Sequence, residues 1–429
     1  MFALVDANSF YTACETVFRP DLRERPVVVL SNNDGCIIAA NRRAKSLGDI
    51  LYRPYYQLEK MLAEQGTAVF SSNYELYGDL SQRMHHLLGS FSTKQEIYSI
   101  DESFLDMGDM RHYNLNRFGQ EIKRSVMKQL GLPVAVGMGK TRTLAKAANH
   151  LAKKITPLAG VLSISDMPEN KQNQLLSRMP VANVWGVGRR WARRLNALGI
   201  ETALHLKQCS PEYIRQQFNV VLERTVYELN GIACQELELI PADKQEIICS
   251  RSFNRPIRDY SDMQQAIARY TARAAEKLRQ QQGQCKQLSV GIYTNPFKQH
   301  GAQYSCWKSI SLIHPSHHSG HLIERAKHCL HKIWKQGYEY KKAFVMLSDI
   351  SKAGTLQYDL FAQKPAYSNN DKTDALMEVL DKINTRMGRG SCRMASEGLD
   401  NQCSWPMQRH KQSPRYSTCW NELATAYIR

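Results

Sequence analysis

No apolar run in this sequence reaches the roughly 20 residues that a membrane-spanning helix needs. The opening Met1-Phe2-Ala3-Leu4-Val5 meets Asp6 before a signal-peptide core can form. Neither export nor membrane insertion is expected, and a cytoplasmic location is. Paired cysteine spacings are also lacking: the 11 cysteines scatter from Cys14 to Cys419, and an odd count closes no complete disulfide framework. They read as reduced thiols. Histidines gather at His314, His317, His318 and His321, with His328, Cys329 and His331 following, but in no standard zinc spacing, so a polar loop is the simpler reading. Acid is scarce too. Against 57 Lys+Arg stand 40 Asp+Glu, a net charge of +17 over 429 residues. That balance calls for a polyanionic partner, nucleic acid rather than membrane. The length implies roughly two to four domains.

With acid in short supply, the adjacent pair Asp101-Glu102 stands out. It interrupts an apolar run, residues 97–100, that resumes at Phe104-Leu105. A β-hairpin tip or strand break presents side chains in this way. Buried carboxylates stay ionised only with partners, and a divalent cation is a common means of holding several together. A solvated turn is the plain alternative. Against it stands a third acid, Asp6, at the end of the apolar strand Phe2-Ala3-Leu4-Val5 and just before Asn8-Ser9-Phe10-Tyr11, where a helix capped by Asn8 or Ser9 should begin.

Pro26-Val27-Val28-Val29-Leu30 reads as a second strand, followed by a polar turn and a basic helix-like run with Arg42, Arg43 and Lys45 that closes at Gly48. Residues 117–130 have helical spacing, with Phe118, Ile122, Val126 and Leu130 on one face. Residues 133–139 should form a strand leading into a helix over residues 141–154. This order predicts an α+β sheet domain carrying its acids at one end. Gly139-Lys140-Thr141 falls short of a phosphate loop because Val134 occupies the position of the loop's first glycine. The turn is still expected to offer amides and Lys140 to an anion.

Residues 171–233 are helical and basic, with nine Lys or Arg against four acids. Within them, Val184-Trp185-Gly186-Val187-Gly188 followed by Arg189-Arg190 reads as a helix-hairpin-helix turn. Gly186 and Gly188 let amides approach a phosphate at a helix N-terminus, Arg189 and Arg190 add charge, and such a contact ignores base sequence. An ordinary tight turn between helices is the alternative. Residues 242–350 run β-α-β-β-α-β, a split βαβ sandwich with one sheet face free, and carry 17 Lys/Arg against 8 Asp/Glu. That face is a candidate for the nucleic-acid backbone. From Ser351 onward, Gly354, Pro365, Gly388, Gly390, Gly398, Pro406 and Pro414 break the pattern, and a tether with short ordered pieces is expected. One piece, Gln357-Tyr358-Asp359-Leu360-Phe361, is an amphipathic plug whose Leu360-Phe361 end suits an apolar pocket on a partner.

Asp6 ahead of Phe10-Tyr11, the string Tyr98-Ser99-Ile100-Asp101-Glu102-Ser103-Phe104, residues 137–153 and the hairpin turn resemble the Y-family translesion DNA polymerases. Phe18-Arg19-Pro20-Asp21-Leu22, Leu30-Ser31-Asn32-Asn33-Asp34-Gly35-Cys36, Ser71-Ser72-Asn73-Tyr74-Glu75-Leu76-Tyr77 and residues 218–224 and 244–253 are similar to the UmuC family, the catalytic subunits of bacterial DNA polymerase V. The likeness runs from residue 1 to about 361 and resumes at Ser413-Pro414-Arg415-Tyr416.

The resemblance implies a right-hand polymerase: a palm at residues 1–20 and 80–170, small fingers at 21–79, a helical thumb at 171–235, a little finger at 242–350, and a C-terminal tail at 351–429 whose Gln357, Leu360 and Phe361 bind the sliding clamp. It implies error-prone, template-directed synthesis across damaged bases in the SOS response, without a proofreading domain. Asp6, Asp101 and Glu102 would hold two Mg²⁺ ions, with the Ala7 carbonyl as an extra ligand. Hard oxygen ligands suit Mg²⁺, one ion activating the primer 3′-hydroxyl and the other neutralising the triphosphate. Tyr11 matches the steric gate against a ribose 2′-hydroxyl, and Lys45 and Lys153 match positions that meet the incoming triphosphate as point charges. Arg42 and Lys45 depart from the tyrosine and arginine usual in the wider family, and Ile37 and Ile38 are expected near the nascent pair. The implied partners are primer-template DNA, dNTPs, the clamp, a processed UmuD-type dimer and the RecA filament. Asp106 lies outside the matched positions and reads as structural.

Two rival readings use parts of the same pattern. A palm-fold nucleotidyl cyclase needs the acids but not the basic segments over residues 171–350. A catalytically silent DNA-binding protein needs the basic segments but not Asp6 together with Asp101 and Glu102.

Overall fold

The structure, a computed structural model, describes residues 1–110, 113–298, 300–353, 370–399, 405 and 407–423. Gln357, Leu360 and Phe361 of the clamp-binding plug lie outside the described residues. The chain divides into two compact units, Met1–Pro241 with His410–Arg429, and Ala242–Arg409.

The first unit contains strands β1 (Phe2–Ala7), β2 (Val27–Leu30), β3 (Ile37–Ala40), β4 (Ala68–Ser71), β5 (Gln95–Ile97), β6 (Glu102–Asp106), β7 (Val134–Gly139) and β8 (Val161–Ser163). They make a five-stranded sheet of order β5-β6-β1-β7-β8 and a three-stranded sheet of order β3-β2-β4. Central β1 is antiparallel to both neighbours, with Asp6 opposite Glu102 on one side and Ala135 on the other. Period-two alternation divides its side chains between two cores. Ala3, Val5 and Ala7 pack with the helices Phe10–Phe18, Tyr74–Gly89 and Leu115–Leu130. Leu4 packs with Phe104 and Ala145 beneath the helix Arg142–Lys154.

That helix lies unusually close to β7. A Cβ on Gly137 would sit 2.1 Å from the Asn149 amide nitrogen, and one on Gly139 would sit 2.6 Å from that of Ala145, so only glycine permits the approach. Buried Asn149 then fixes the helix's rotation by donating to the carbonyls of Ala135 at 2.9 Å and Leu4 at 3.3 Å. Lys146 and Lys153, within a turn of Asn149 on either side, are thereby turned toward the end of β1 where Asp6 stands. Residues 171–233 form a helical bundle with its own core, including Leu176, Leu195, Leu206, Ile214 and Val226.

The second unit holds β9 (Ile247–Ile257), β10 (Gly283–Thr294), β11 (Ser305–Ser316) and β12 (Tyr340–Lys352) in the order β11-β10-β12-β9, all antiparallel. The helices Tyr260–Gln280 and Ser319–Ile333 pack on one face, which gives the β-α-β-β-α-β order expected from sequence. Alternation along β9 and β11 leaves Ile248 and Trp307 exposed. β9 runs on through Pro256, which an edge strand tolerates because its outer amides need no partner.

The described residues beyond 351 are more ordered than a tether. Asn370–Met387 is an 18-residue helix, and Asp381 on it takes both Nε (2.7 Å) and Nη2 (2.8 Å) of Arg279. Arg269 donates to the Glu397 carbonyl at 2.7 Å, and buried Trp405 meets Phe253 and Tyr270 edge-on. Gly388 bounds this helix rather than interrupting it. In the histidine-rich stretch, His318 Nδ1 accepts the His321 amide at 3.3 Å as a helix cap, and His317 pairs with Asp374 at 3.3 Å. No described helix is long and apolar enough to cross a membrane, and every described cysteine is a free thiol.

Candidate active site

The acids meet at one end of the five-stranded sheet. β5 and β6 form the hairpin expected around Asp101, with the Ser99 hydroxyl organising its turn. Its oxygen accepts the amides of Asp101 at 3.3 Å and Glu102 at 3.1 Å and donates to Asp101 Oδ1 at 2.6 Å. The Ala7 amide donates to the Asp101 carbonyl at 2.9 Å, tying the tip to the end of β1. Asp106, at the far end of β6, accepts the Gly108 amide at 2.9 Å and serves a turn.

Each acid has an internal partner. Lys153 Nζ lies 2.5 Å from Asp6 Oδ2, and Lys146 Nζ lies 3.0 Å from Glu102 Oε2. Burial pushes the Asp6 carboxyl up to about 6. Lys153 opposes the rise, while the charge and hydrogen bonding of Glu102 beside it add to it. Among the described residues no three carboxylate, histidine or cysteine side chains already stand as a ligand cluster. The donor set nevertheless suits a hard divalent cation: Glu102 stands close enough to raise the proton affinity of Asp6, and the lysines supply compensating charge.

Tyr11 lies on the helix Phe10–Phe18 beside these acids. Its ring stacks on Tyr77 at 4.8 Å between centroids and 20° between planes, and meets Tyr74 edge-on at 5.9 Å. Ser9 is the N-cap residue but makes no side-chain cap bond; its hydroxyl instead accepts Lys45 Nζ at 3.0 Å. Burial and the nearby Lys153 ammonium both lower the Lys45 pKa. Two mutually repelling ammoniums beside a carboxylate make a slot for a polyanion.

The turn after β7 does not offer its amides to an anion. Thr141 caps the helix Arg142–Lys154 and donates to the Glu228 carbonyl at 2.8 Å, and the Glu228 carboxylate takes the Thr143 amide at 2.9 Å and hydroxyl at 2.6 Å. The protein's own acid fills that site, which corrects the expectation from sequence. In the hairpin turn, Gly186 has φ +87°, Gly188 is the N-cap of the helix Arg189–Ala197, and Arg189 and Arg190 are exposed.

Three features escaped the sequence reading. Lys146 is one; two helical turns before Lys153, its periodicity was a usable signal. The second is the aromatic group around it: Lys146 Nζ lies 4.3 Å from the Tyr98 ring and 5.1 Å from Trp185, so the hairpin turn contacts the lysine that holds Glu102. The third is the pair Arg142–Glu96 at 2.5 Å, whose long sequence separation hides it.

Comparison with known proteins agrees with this geometry. Residues 5–150 match the impB/mucB/samB family, residues 244–360 match that family's C-terminal domain, and residues 374–426 match a domain of unknown function (DUF4113). The chain is 47% identical to Protein UmuC of Salmonella typhimurium, covering 99% of each chain, and 43% identical to Protein ImpB of Salmonella typhimurium, covering 100% of each. A solved Y-family DNA polymerase chimera of Dbh and Dpo4 shares the fold at a TM-score of 0.64 and 20% identity, over 82% of this chain and 100% of that one. The chain therefore belongs to the impB/mucB/samB family, in which Protein UmuC is among its relatives.

Proposed function

We propose that the chain carries out error-prone translesion synthesis in the SOS response by two-metal nucleotidyl transfer. The observation that carries this reading is the cross-strand pair Asp6 and Glu102, with Asp101 tied to the end of β1 and two lysines paired to the acids. Residues 1–20 and 80–170 serve as palm, 21–79 as fingers, 171–235 as thumb and 242–350 as little finger. Mg²⁺ held by Asp6, Asp101, Glu102 and the Ala7 carbonyl supplies Lewis-acid chemistry at the primer 3′-hydroxyl and the triphosphate.

The chain's own residues bind and orient. Lys45 and Lys153 receive the triphosphate, with Lys153 exchanging its hold on Asp6 for phosphate oxygen. The Tyr11 ring, backed by Tyr77, closes the space a ribose 2′-hydroxyl needs. Gly186 and Gly188 offer backbone amides to DNA phosphate, and Arg189 and Arg190 add sequence-independent charge. No protein nucleophile takes part. Gln357, Leu360 and Phe361 dock on the sliding clamp, and a processed UmuD-type dimer and a RecA filament complete the working assembly at the nucleoid.

Primer extension on an undamaged and an abasic template, each with and without clamp and UmuD-type dimer, tests the proposal. The expected result is extension past the abasic site with the partners present. Absence of incorporation on either template under every condition overturns it.

A further inference from the structure

The last part of the matched domain of unknown function, from His410 onward, belongs to the first unit and meets the two helices that carry Tyr11 and Tyr77. Gln412 pairs with Ser71 at the edge of β4. The Lys411 carbonyl accepts the Ser71 amide at 2.9 Å, and the Ser71 hydroxyl accepts the Lys411 amide at 2.9 Å. Asn73, whose side chain caps the helix Tyr74–Gly89, donates to the carbonyl and the hydroxyl oxygen of Ser413, both at 3.1 Å. The Ser413 hydroxyl donates to Glu15 Oε1 at 3.1 Å, and that same oxygen accepts the Tyr77 hydroxyl at 2.5 Å. The Tyr77 ring is the one stacked on Tyr11. Tyr416 adds a second anchor, stacking on Phe18 at 4.6 Å and 17°, at the far end of the Tyr11 helix.

The polar groups that meet at Ser413 and Glu15 are buried: Glu15 is 1% exposed, Asn73 and Tyr77 0%, and Ser413 6%. Among the described residues, the second carboxyl oxygen, Glu15 Oε2, has no hydrogen-bond partner. Glu15 thus depends on two hydroxyls, one from the Tyr77 helix and one from the tail. If the tail's hydroxyl is lost, the buried carboxyl must turn to satisfy itself, and it moves the Tyr77 ring with it. Sugar discrimination by a ring in contact with the 2′-position is sensitive to displacements well below 1 Å.

We propose that residues 411–416 form a built-in strap that sets the Tyr11 ring through Ser413, Glu15 and Tyr77. Ser413 is then a positioning residue for sugar selection, and the matched domain gains a defined role in nucleotide choice. The proposal rests on the reading of Tyr11 as the gate.

The test is single-nucleotide insertion by the full-length chain, comparing dNTP with rNTP efficiency in wild type, Ser413→Ala, Tyr11→Ala and the double variant. Should Ser413→Ala fail to fold, Tyr416→Leu, which loosens the same strap from its other anchor, is read by the same criteria. Ser413→Ala is expected to lower dNTP-over-rNTP discrimination by about fivefold, the equivalent of one buried hydrogen bond, with dNTP insertion nearly unchanged. In the Tyr11→Ala background the same substitution is expected to add nothing. Unchanged discrimination in Ser413→Ala, alongside relaxed discrimination in Tyr11→Ala, overturns the strap while leaving the gate intact. So does a loss that persists in the Tyr11→Ala background. Unchanged discrimination in Tyr11→Ala removes the gate itself, and the strap's role with it.

Discussion

Replacing Arg142 with methionine should open the acid-bearing half of the sheet. The Arg142 side chain is 8% exposed and that of Glu96 is 6%. The guanidinium donates to Glu96 Oε1 at 2.5 Å and to the Glu236 carbonyl at 3.0 Å, and it sits 4.7 Å from the centre of the Phe104 ring and 5.4 Å from that of Trp185. Methionine fills much of the same volume, so cavity formation contributes little. What remains among the described residues is Glu96, buried, with the Glu238 amide at 2.8 Å as its remaining donor. Breaking one side of a buried ion pair costs about 3–5 kcal/mol, and loss of the cation–π contacts adds to it. Changing both partners, Arg142→Met with Glu96→Gln, removes the stranded charge and should restore most of the loss. Amide hydrogen exchange of peptides spanning β5 and β6 reads this unit separately from the second one; protection should fall by about 100-fold or more in the single variant. A change of less than about fivefold in the single variant, or an equal loss in the double variant, refutes the reasoning.

Gly137→Ala should be strongly destabilising, because its Cβ meets helix backbone at 2.1 Å rather than a side chain that can swing away; a melting temperature equal to wild type contradicts the packing described. Glu15 predicts a pH effect. Burial pushes its carboxyl from 4.5 up to about 7, so the unfolded chain ionises first and stability is lost as pH rises through that window. The full penalty, about 3 kcal/mol, is present above pH 7. The titratable groups facing it, Cys14, Tyr77 and Tyr416, are all raised and stay neutral there. Glu15→Gln should therefore gain stability relative to wild type between pH 5 and pH 8, and parallel melting curves over that range remove Glu15 as the cause.

Much of the acid-bearing end was legible because it depends on short-range pattern. An apolar strand ending in Asp6 and an apolar hairpin broken by Asp101 and Glu102 must bring their polar ends to one edge once the apolar faces pair, and the register puts Asp6 opposite Glu102. The β-α-β-β-α-β order of the second unit followed from alternation and helical spacing in the same way. What stayed hidden depends on partners far apart in the chain. Glu228 filling the turn after β7 spans 85 residues, and Ser413 reaching Glu15 spans 398. No periodicity reports which acid satisfies a helix N-terminus or which hydroxyl reaches a buried carboxyl. The tail misled for a related reason: composition alone does not distinguish a glycine that bounds an ordered piece, as Gly388 does, from one that breaks it.

The most direct measurement of the central claim is primer extension by the Asp101→Ala chain, beside its binding to the same primer-template. The Asp101 side chain accepts the Ser99 hydroxyl within its own hairpin turn, so DNA affinity should stay nearly unchanged while nucleotide addition disappears. Synthesis retained at a measurable rate would contradict the assignment of the Asp6, Asp101 and Glu102 end of the sheet as the catalytic centre.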